Sequence, residues 1–310
     1  MATETAYFSR IIFLFGPTGV GKTGLLPRLF RHGYGVINAD SIQVYRHLDI
    51  GSAKPSRQLQ SLVPHELLDV AEPWEQFSVG TFVRMADEAV IRIASKGDIP
   101  VLTGGTAYYF KHFLHGLSEA PPADSRIRNE IAGIKEEKGL AWCHQWLAEV
   151  DPVSAVRIHP SDTQRILRAL EVWQSTGRPL SSFTVPDGPR HGMKPLIIGL
   201  ERERDDLKER IAQRVKAMFE EGLEDEMRRL LMMGAVSSWP SMQGIGYREF
   251  FQAMRGGEMT HSGIATQIAR NCHLYAKRQY TFFRSFADVT WMHPDDDTGI
   301  KHLVDVYLGI

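Results

Sequence analysis

Cysteine is scarce: Cys143 and Cys272 are the only two in 310 residues. They lie far apart, with neither C-x-x-C nor metal-ligand spacing, which argues against a disulfide framework or a zinc site and for reduced thiols in a cytosolic protein. No run approaches the roughly 20 apolar residues that a membrane span needs. The first ten residues carry Glu4 and Arg10 and no long apolar stretch, unlike a signal peptide. A charge excess is missing too: 36 Lys and Arg stand against 37 Asp and Glu. Nothing global therefore points to nucleic acid, and any such partner must be held by a local patch. Internal repeats and low-complexity segments are absent. What remains is a chain long enough for a full core, either one large domain with an insertion or two domains.

The organising stretch is Gly16-Pro17-Thr18-Gly19-Val20-Gly21-Lys22-Thr23. It follows an apolar run, Ile11 to Phe15, and leads into Leu25, Leu26, Leu29 and Phe30, so it reads as strand, loop and helix. In that setting G-x-x-x-x-G-K-[ST] cradles phosphates. Glycines let the backbone turn tightly, N–H groups converge on one anion, and the helix N-terminus adds favourable partial charge. Lys22 supplies a full positive charge, and the Thr23 hydroxyl is a hard oxygen suited to Mg²⁺. The motif says oligophosphate without saying nucleotide.

Val36 to Ala39 reads as a buried strand ending in Asp40. Ligands in open α/β sheets bind at the carboxyl ends of strands, so Asp40 is expected on the rim that carries the phosphate loop. A base, a Mg²⁺ ligand and the cap of the following turn are equally open roles for it. Helical spacing from Val79 to Ile93 follows an N-cap at Ser78 and stops at Gly97. Ile99 to Leu102 is the next strand, and it ends in Thr103-Gly104-Gly105-Thr106, either an ordinary turn or a second anion nest. Strand patterns vanish between Pro121 and Pro195, where helices are expected around Ile127 to Glu149 and Ser161 to Thr176, the second with a capping-box start and a Gly177 stop. Leu196 to Leu200 returns as a strand. One long helix follows along Leu207, Ile211, Val215, Met218, Leu223, Met227 and Leu230, with an acidic end, Glu220 to Glu226, read mostly as solvated surface. From Ser262 to Phe286 a basic stripe of Arg270, Lys277 and Arg284 runs beside an apolar face holding Ile264, Ile268, Cys272 and Tyr275.

The order of motifs resembles the bacterial tRNA dimethylallyltransferase family, from Ile11 to about Trp291. Besides the phosphate loop, its carriers are Ala39 to Arg46, Asp49 to Pro55, Val63-Pro64-His65, Gly104-Gly105-Thr106 and Pro121-Pro122-Ala123-Asp124. Further on come Val150-Asp151-Pro152, Arg157 to Pro160, Asp162, Gln164-Arg165-Ile166, Arg168 to Val172, Gly244 to Arg248 and Tyr275 to Gln279. Departures are minor: Gly19-Val20 stands where the family usually has Ala-Ser, Glu66 where a second histidine is common, and Ser161 where asparagine is usual.

The resemblance implies an α/β fold with a phosphate-loop parallel sheet flanked by helices. Residues 1–120 and 195–310 would form the catalytic core, and 121–194 a helical insertion gripping the anticodon stem-loop of tRNA. It implies transfer of a dimethylallyl group from dimethylallyl diphosphate to N6 of the adenosine just 3′ of the anticodon, with Mg²⁺ on Thr23, by a cytoplasmic monomer. Asp40 would be the base. Lys22, Thr23, Arg214, the loop from Gly16 to Thr23, and Thr106 would hold the diphosphate. Asp40, Ser41, Ile42, Gln43, Thr106, Arg128, Gln164, Arg165, Ile166, Leu167, Arg168, Gly244, Gly246, Tyr247, Arg248, Lys277 and Arg278 would contact tRNA.

The chemistry fits these residue types. Breaking an allylic C–O bond puts negative charge on the departing diphosphate, which preorganised donors stabilise. The N6 lone pair is delocalised, so a carboxylate accepting its proton helps by about 10²–10⁴-fold. Rival readings are an adenylate prenyl transferase, which would need neither the insertion nor the basic helix, an ATP-dependent kinase, and a non-catalytic RNA-binding module.

Overall fold

Strand alternation leaves this sheet apolar on both faces. Ile12, Leu14, Val36, Val101, Ile198 and Leu200 point to one face, and Phe13, Phe15, Ile37, Leu102 and Ile197 to the other. That pattern suits a parallel sheet covered on both sides, and the computed structural model has one. Its strands are β1 (Ile12–Phe15), β2 (Tyr34–Asn38), β3 (His65–Glu66), β4 (Ile99–Gly104), β5 (Leu196–Leu200) and β6 (Thr290–Met292). All pair in parallel in the order β3-β2-β4-β1-β5-β6. The structure describes residues 4–122, 124–186, 188–256 and 260–310. Ala123 of the Pro121–Asp124 motif lies outside them.

The helices of the larger unit are α1 (Lys22–Leu29), α2 (Arg57–Leu62), α3 (Val79–Ala94) and α4 (Ala107–His115). The insertion contributes α5 (Ser125–Lys138), α6 (Leu140–Val150), α7 (Pro152–Arg157) and α8 (Thr163–Thr176). The chain then adds α9 (Arg204–Glu220), α10 (Leu223–Met232), α11 (Arg248–Gly256), α12 (His261–Phe283) and α13 (Asp297–Leu308). Two compact units result, 1–114 with 189–310 and 115–188. Among the described residues no helix is long and apolar enough to cross a membrane.

Local chemistry accounts for the helix ends. Ser78 caps α3 by accepting from the Thr81 N–H, and Gly177 closes α8 in the left-handed region. The cap of α8 is Asp162, which accepts from the Arg165 N–H, one residue beyond the Ser161 start expected from the capping box. The two long helices expected from periodicity are each broken by a glycine with positive φ. Gly139 (φ 84°) parts α5 from α6, and Gly222 (φ 99°) parts α9 from α10. β6 and α13 had no clear sequence signal.

Packing then places the working edges. β1 lies between β4 and β5, with Phe15 level with Gly104 and Gly199. β2 flanks β4, with Asn38 level with Thr103. The phosphate loop, Asp40 and the Gly104–Thr106 turn therefore leave the sheet side by side. Phe15 stacks on Phe283 with ring centroids 4.1 Å apart, which seats α12 against the same edge. The insertion has its own core of Ile127, Ile131, Cys143, Leu147, Ile166, Ala169 and Leu170.

Candidate active site

The phosphate loop adopts the conformation its glycines allow. Gly19 and Gly21 have φ of 81° and 118°, and a Cβ on Gly16 would come within 2.8 Å of the Leu200 carbonyl oxygen. Thr18, Gly19, Gly21, Lys22 and Thr23 border a cavity of about 860 Å³. Gly16, Pro17 and Val20 form the back of the loop, where Val20 is fully buried and its carbonyl accepts from Arg202 Nε. The Lys22 ammonium donates to the carbonyls of Gly16 (2.8 Å) and Pro17 (2.9 Å). Desolvation lowers its pKa to about 7, with the Asp40 carboxylate opposing the shift and Arg214 adding to it.

Two arginines of α9 reach over the loop. Arg210 Nε donates to the Gly19 carbonyl, and Arg214 Nη1 to the Thr18 hydroxyl. The Nε of Arg214 is buried with no hydrogen-bond partner among the described residues, a donor suited to an anion in the cavity.

Asp40 and Lys22 both border that cavity, near enough for the carboxylate to act on the ammonium. Its Oδ1 accepts from the N–H groups of Ile42 (2.9 Å) and Gln43 (3.4 Å), so it does cap the following turn. Oδ2 has no hydrogen-bond partner among the described residues. A second cavity, of about 440 Å³, is lined by Ser41, Ile42, Arg248 and Arg278 among others. Thr18, Asp40, Arg214, Met218 and Tyr275 line both spaces. The two cavities thus adjoin along five residues that include the carboxylate, with the phosphate loop bordering one and Arg248 and Arg278 the other.

Several expected contacts are corrected. Thr106 lines neither cavity: its N–H donates to the Ala39 carbonyl and its hydroxyl accepts from the Ser41 N–H, because the ends of β2 and β4 go on pairing. Gly105 of the same turn does border the larger cavity. Gln43 borders the larger cavity, and its amide N–H donates to the carbonyls of Ser52 and Ala53, bracing a loop. Gly246 and Tyr247 are buried and line neither cavity, whereas Gly244, also buried, borders the second cavity. A Cβ on Gly244 would meet Ile42 at 2.8 Å, one on Gly246 the Gly51 carbonyl at 3.0 Å, and the Tyr247 hydroxyl donates to Glu226 at 2.8 Å. Arg248 is half-buried and bonded to Glu249, and keeps its place on the border of the second cavity.

In the insertion, Ile166 is fully buried in the unit's core, so its side chain is not offered to RNA, while Leu167 is half-buried and packs against that core. Arg128 and Arg168 both pair with the buried carboxylate of Glu171, at 3.2 and 3.4 Å, and Arg168 also donates to the Pro121 carbonyl. Both act as counter-charges to Glu171, and the Arg128 side chain stays 46% exposed. Gln164 and Arg165, and on α12 Lys277 and Arg278, are exposed.

Other groups were not anticipated. Gln279 is buried; its Oε1 accepts from the Thr18 N–H (2.9 Å) while its Nε2 donates to the Gly105 carbonyl (2.6 Å), joining the two turns at the sheet edge. Glu226, read as solvated, is 1% exposed and accepts from the N–H groups of Asp49, Ile50 and Gly51 as well as from Tyr247. The Tyr275 hydroxyl is pushed up to about 12 by burial and the Asp40 carboxylate, against a hydrogen bond with Thr106.

Among the described residues no cluster of three or more His, Cys, Asp or Glu side chains is placed to hold a metal. The donor set that lines the cavity, the exposed Thr23 hydroxyl and the Asp40 carboxylate, is hard oxygen. It fits a Mg²⁺ that arrives with a diphosphate and keeps its waters, and does not fit a closed cage.

The chain matches the family model described as IPP transferase over residues 43–286, and the model described as isopentenyl transferase over residues 9–65. It is 40% identical over 314 residues to the tRNA dimethylallyltransferase of Geobacter sulfurreducens, covering all of both chains. It is also 40% identical over 295 residues to that of Syntrophobacter fumaroxidans, covering 94% of this chain and 85% of the relative. The crystal structure of the tRNA isopentenylpyrophosphate transferase from Bacillus halodurans superposes with a TM-score of 0.68 at 36% identity, covering 97% of this chain and 96% of that one. With the sheet, the phosphate loop and the two adjoining cavities in place, these matches mean that the chain belongs to the IPP transferase family.

Proposed function

We propose that this protein transfers a dimethylallyl group from dimethylallyl diphosphate to N6 of the adenosine just 3′ of the anticodon in tRNA. The observation that carries the reading is the pair of adjoining cavities that share Asp40, one bordered by the phosphate loop and the other by Arg248 and Arg278. The diphosphate enters on the loop side, where the loop N–H groups, Lys22 and Arg214 take up the charge that grows as the allylic C–O bond breaks. The base is extruded from the single-stranded anticodon loop into the other cavity, which costs less than flipping from a duplex. N6 attacks the allylic carbon while the free oxygen of Asp40 accepts its proton. The C–O bonding pair leaves with the diphosphate.

Mg²⁺ belongs to the same proposal: with Thr23 as its protein contact, it would neutralise the departing diphosphate. The exposed cations Arg165, Lys277 and Arg278 are the proposed contacts to the RNA backbone. The reading takes the protein as a cytoplasmic monomer.

The direct test incubates the protein with dimethylallyl diphosphate, Mg²⁺ and unmodified tRNA and looks by mass spectrometry for a C5 adduct on adenosine. Asp40→Ala is expected to cost about 10²–10⁴ in turnover and to spare tRNA affinity. Normal single-turnover chemistry in that variant would remove Asp40 from the role. Comparable turnover of free AMP would favour the adenylate rival instead.

A further inference from the structure

Arg210, Arg214 and Met218 follow one another at four-residue spacing on α9 and so share a face of the helix. The first two reach the phosphate loop, at the Gly19 carbonyl and the Thr18 hydroxyl. The third is 5% exposed and borders both cavities. Of the five residues common to those cavities, Thr18, Asp40 and Arg214 are polar and Tyr275 has its hydroxyl bonded to Thr106. Met218 is the one aliphatic side chain among them.

Taking the reaction proposed above as given, we infer that Met218 sets the length of the prenyl group the enzyme accepts. With the diphosphate gripped by Arg214 and the loop, the allyl chain extends from that grip toward the residues the two cavities share. One helical turn from Arg214 to Met218 is about 5.4 Å along the axis, comparable with the reach of a branched C5 chain. The methionine thioether lies where a second isoprene unit would have to go. The next position at this spacing is Gly222, which has no side chain, and Glu221, which borders the larger cavity three residues after Met218, is charged and exposed, so no second apolar side chain follows on this face. The helix thus carries two cations for the diphosphate and one apolar stop for the hydrocarbon.

The experiment offers tRNA an equimolar mixture of dimethylallyl and geranyl diphosphates and compares kcat/KM for C5 and C10 products by mass spectrometry. The wild-type protein is expected to yield the C5 product. Met218→Ala should raise the C10-to-C5 ratio by on the order of tenfold, the gain of about two methylene groups finding a buried place. Met218→Leu, which keeps the volume, should leave the ratio unchanged. Should the alanine variant fail to fold, Met218→Val carries the same test with a smaller rise. A wild-type protein that uses both donors equally, or a truncation that leaves the ratio where it was, overturns the inference while the proposed reaction stands. Absence of any C5 transfer by the wild type overturns that reaction, and the inference with it.

Discussion

Lys22 should take up a proton when a diphosphate binds. Its ammonium is bonded to two carbonyls of its own loop, and desolvation lowers its pKa to about 7 despite the Asp40 carboxylate. About half the lysines are then neutral at pH 7. A diphosphate next to the side chain restores the charged form, so binding draws about 0.5 proton from buffer at pH 7 and about 0.9 at pH 8. Affinity follows the protonated fraction and should fall about tenfold from pH 6 to pH 8, equivalent to about 1.4 kcal/mol. The assay is titration calorimetry with inorganic diphosphate and Mg²⁺ in buffers of different ionisation enthalpy, wild type against Lys22→Met. Protons belonging to the ligand are common to both proteins and cancel. The sign for stability follows: the folded pKa lies below the ordinary lysine value of 10.5. The unfolded chain therefore binds more protons between about pH 7 and 10.5, and native stability from this group rises with pH across that window. Equal proton counts for wild type and variant would refute the reasoning.

Gly105→Ala would put a Cβ 2.4 Å from Gln279 Nε2 and break the bridge to the phosphate loop; calorimetry should show weaker diphosphate binding, with tRNA affinity kept. Tyr247→Phe removes one donor from buried Glu226 and should cost roughly 1.5–3 kcal/mol in denaturant unfolding, again without loss of tRNA affinity. Arg165→Glu should weaken tRNA binding and flatten its salt dependence by roughly 0.7–0.9 in logarithmic slope. Arg168→Glu instead sets a second carboxylate against Glu171 and should show first as a lower unfolding midpoint.

What the sequence made legible was local. The phosphate loop, the strand before it and the cap at Ser78 depend on residues within one turn of each other, and they stand where spacing puts them. The site was half legible: Asp40, Lys22 and Arg214 converge, yet Gln279 bridges to Gly105 across 174 positions, and nothing near either residue announces the pair. A motif string does not separate a residue that faces a ligand from one that holds the motif in shape, so Tyr247, Gly246 and Ile166 were placed at the RNA and belong to cores. Glu226 was priced as surface because its neighbours are acidic, although Met227 and Leu230 beside it face inward. For Arg168 a signal existed: Glu171, three residues on, lies on the same face of α8.

The grip of Glu226 on the N–H groups of Asp49, Ile50 and Gly51 has a dynamic counterpart. A stretch with no regular secondary structure borrows the stiffness of α10, and deuterium would enter those three amides only when the helix lets them go. Ile50, Ala53 and Lys54, which wall the larger cavity, then behave as masonry, and a substrate entering that cavity meets a fixed contour.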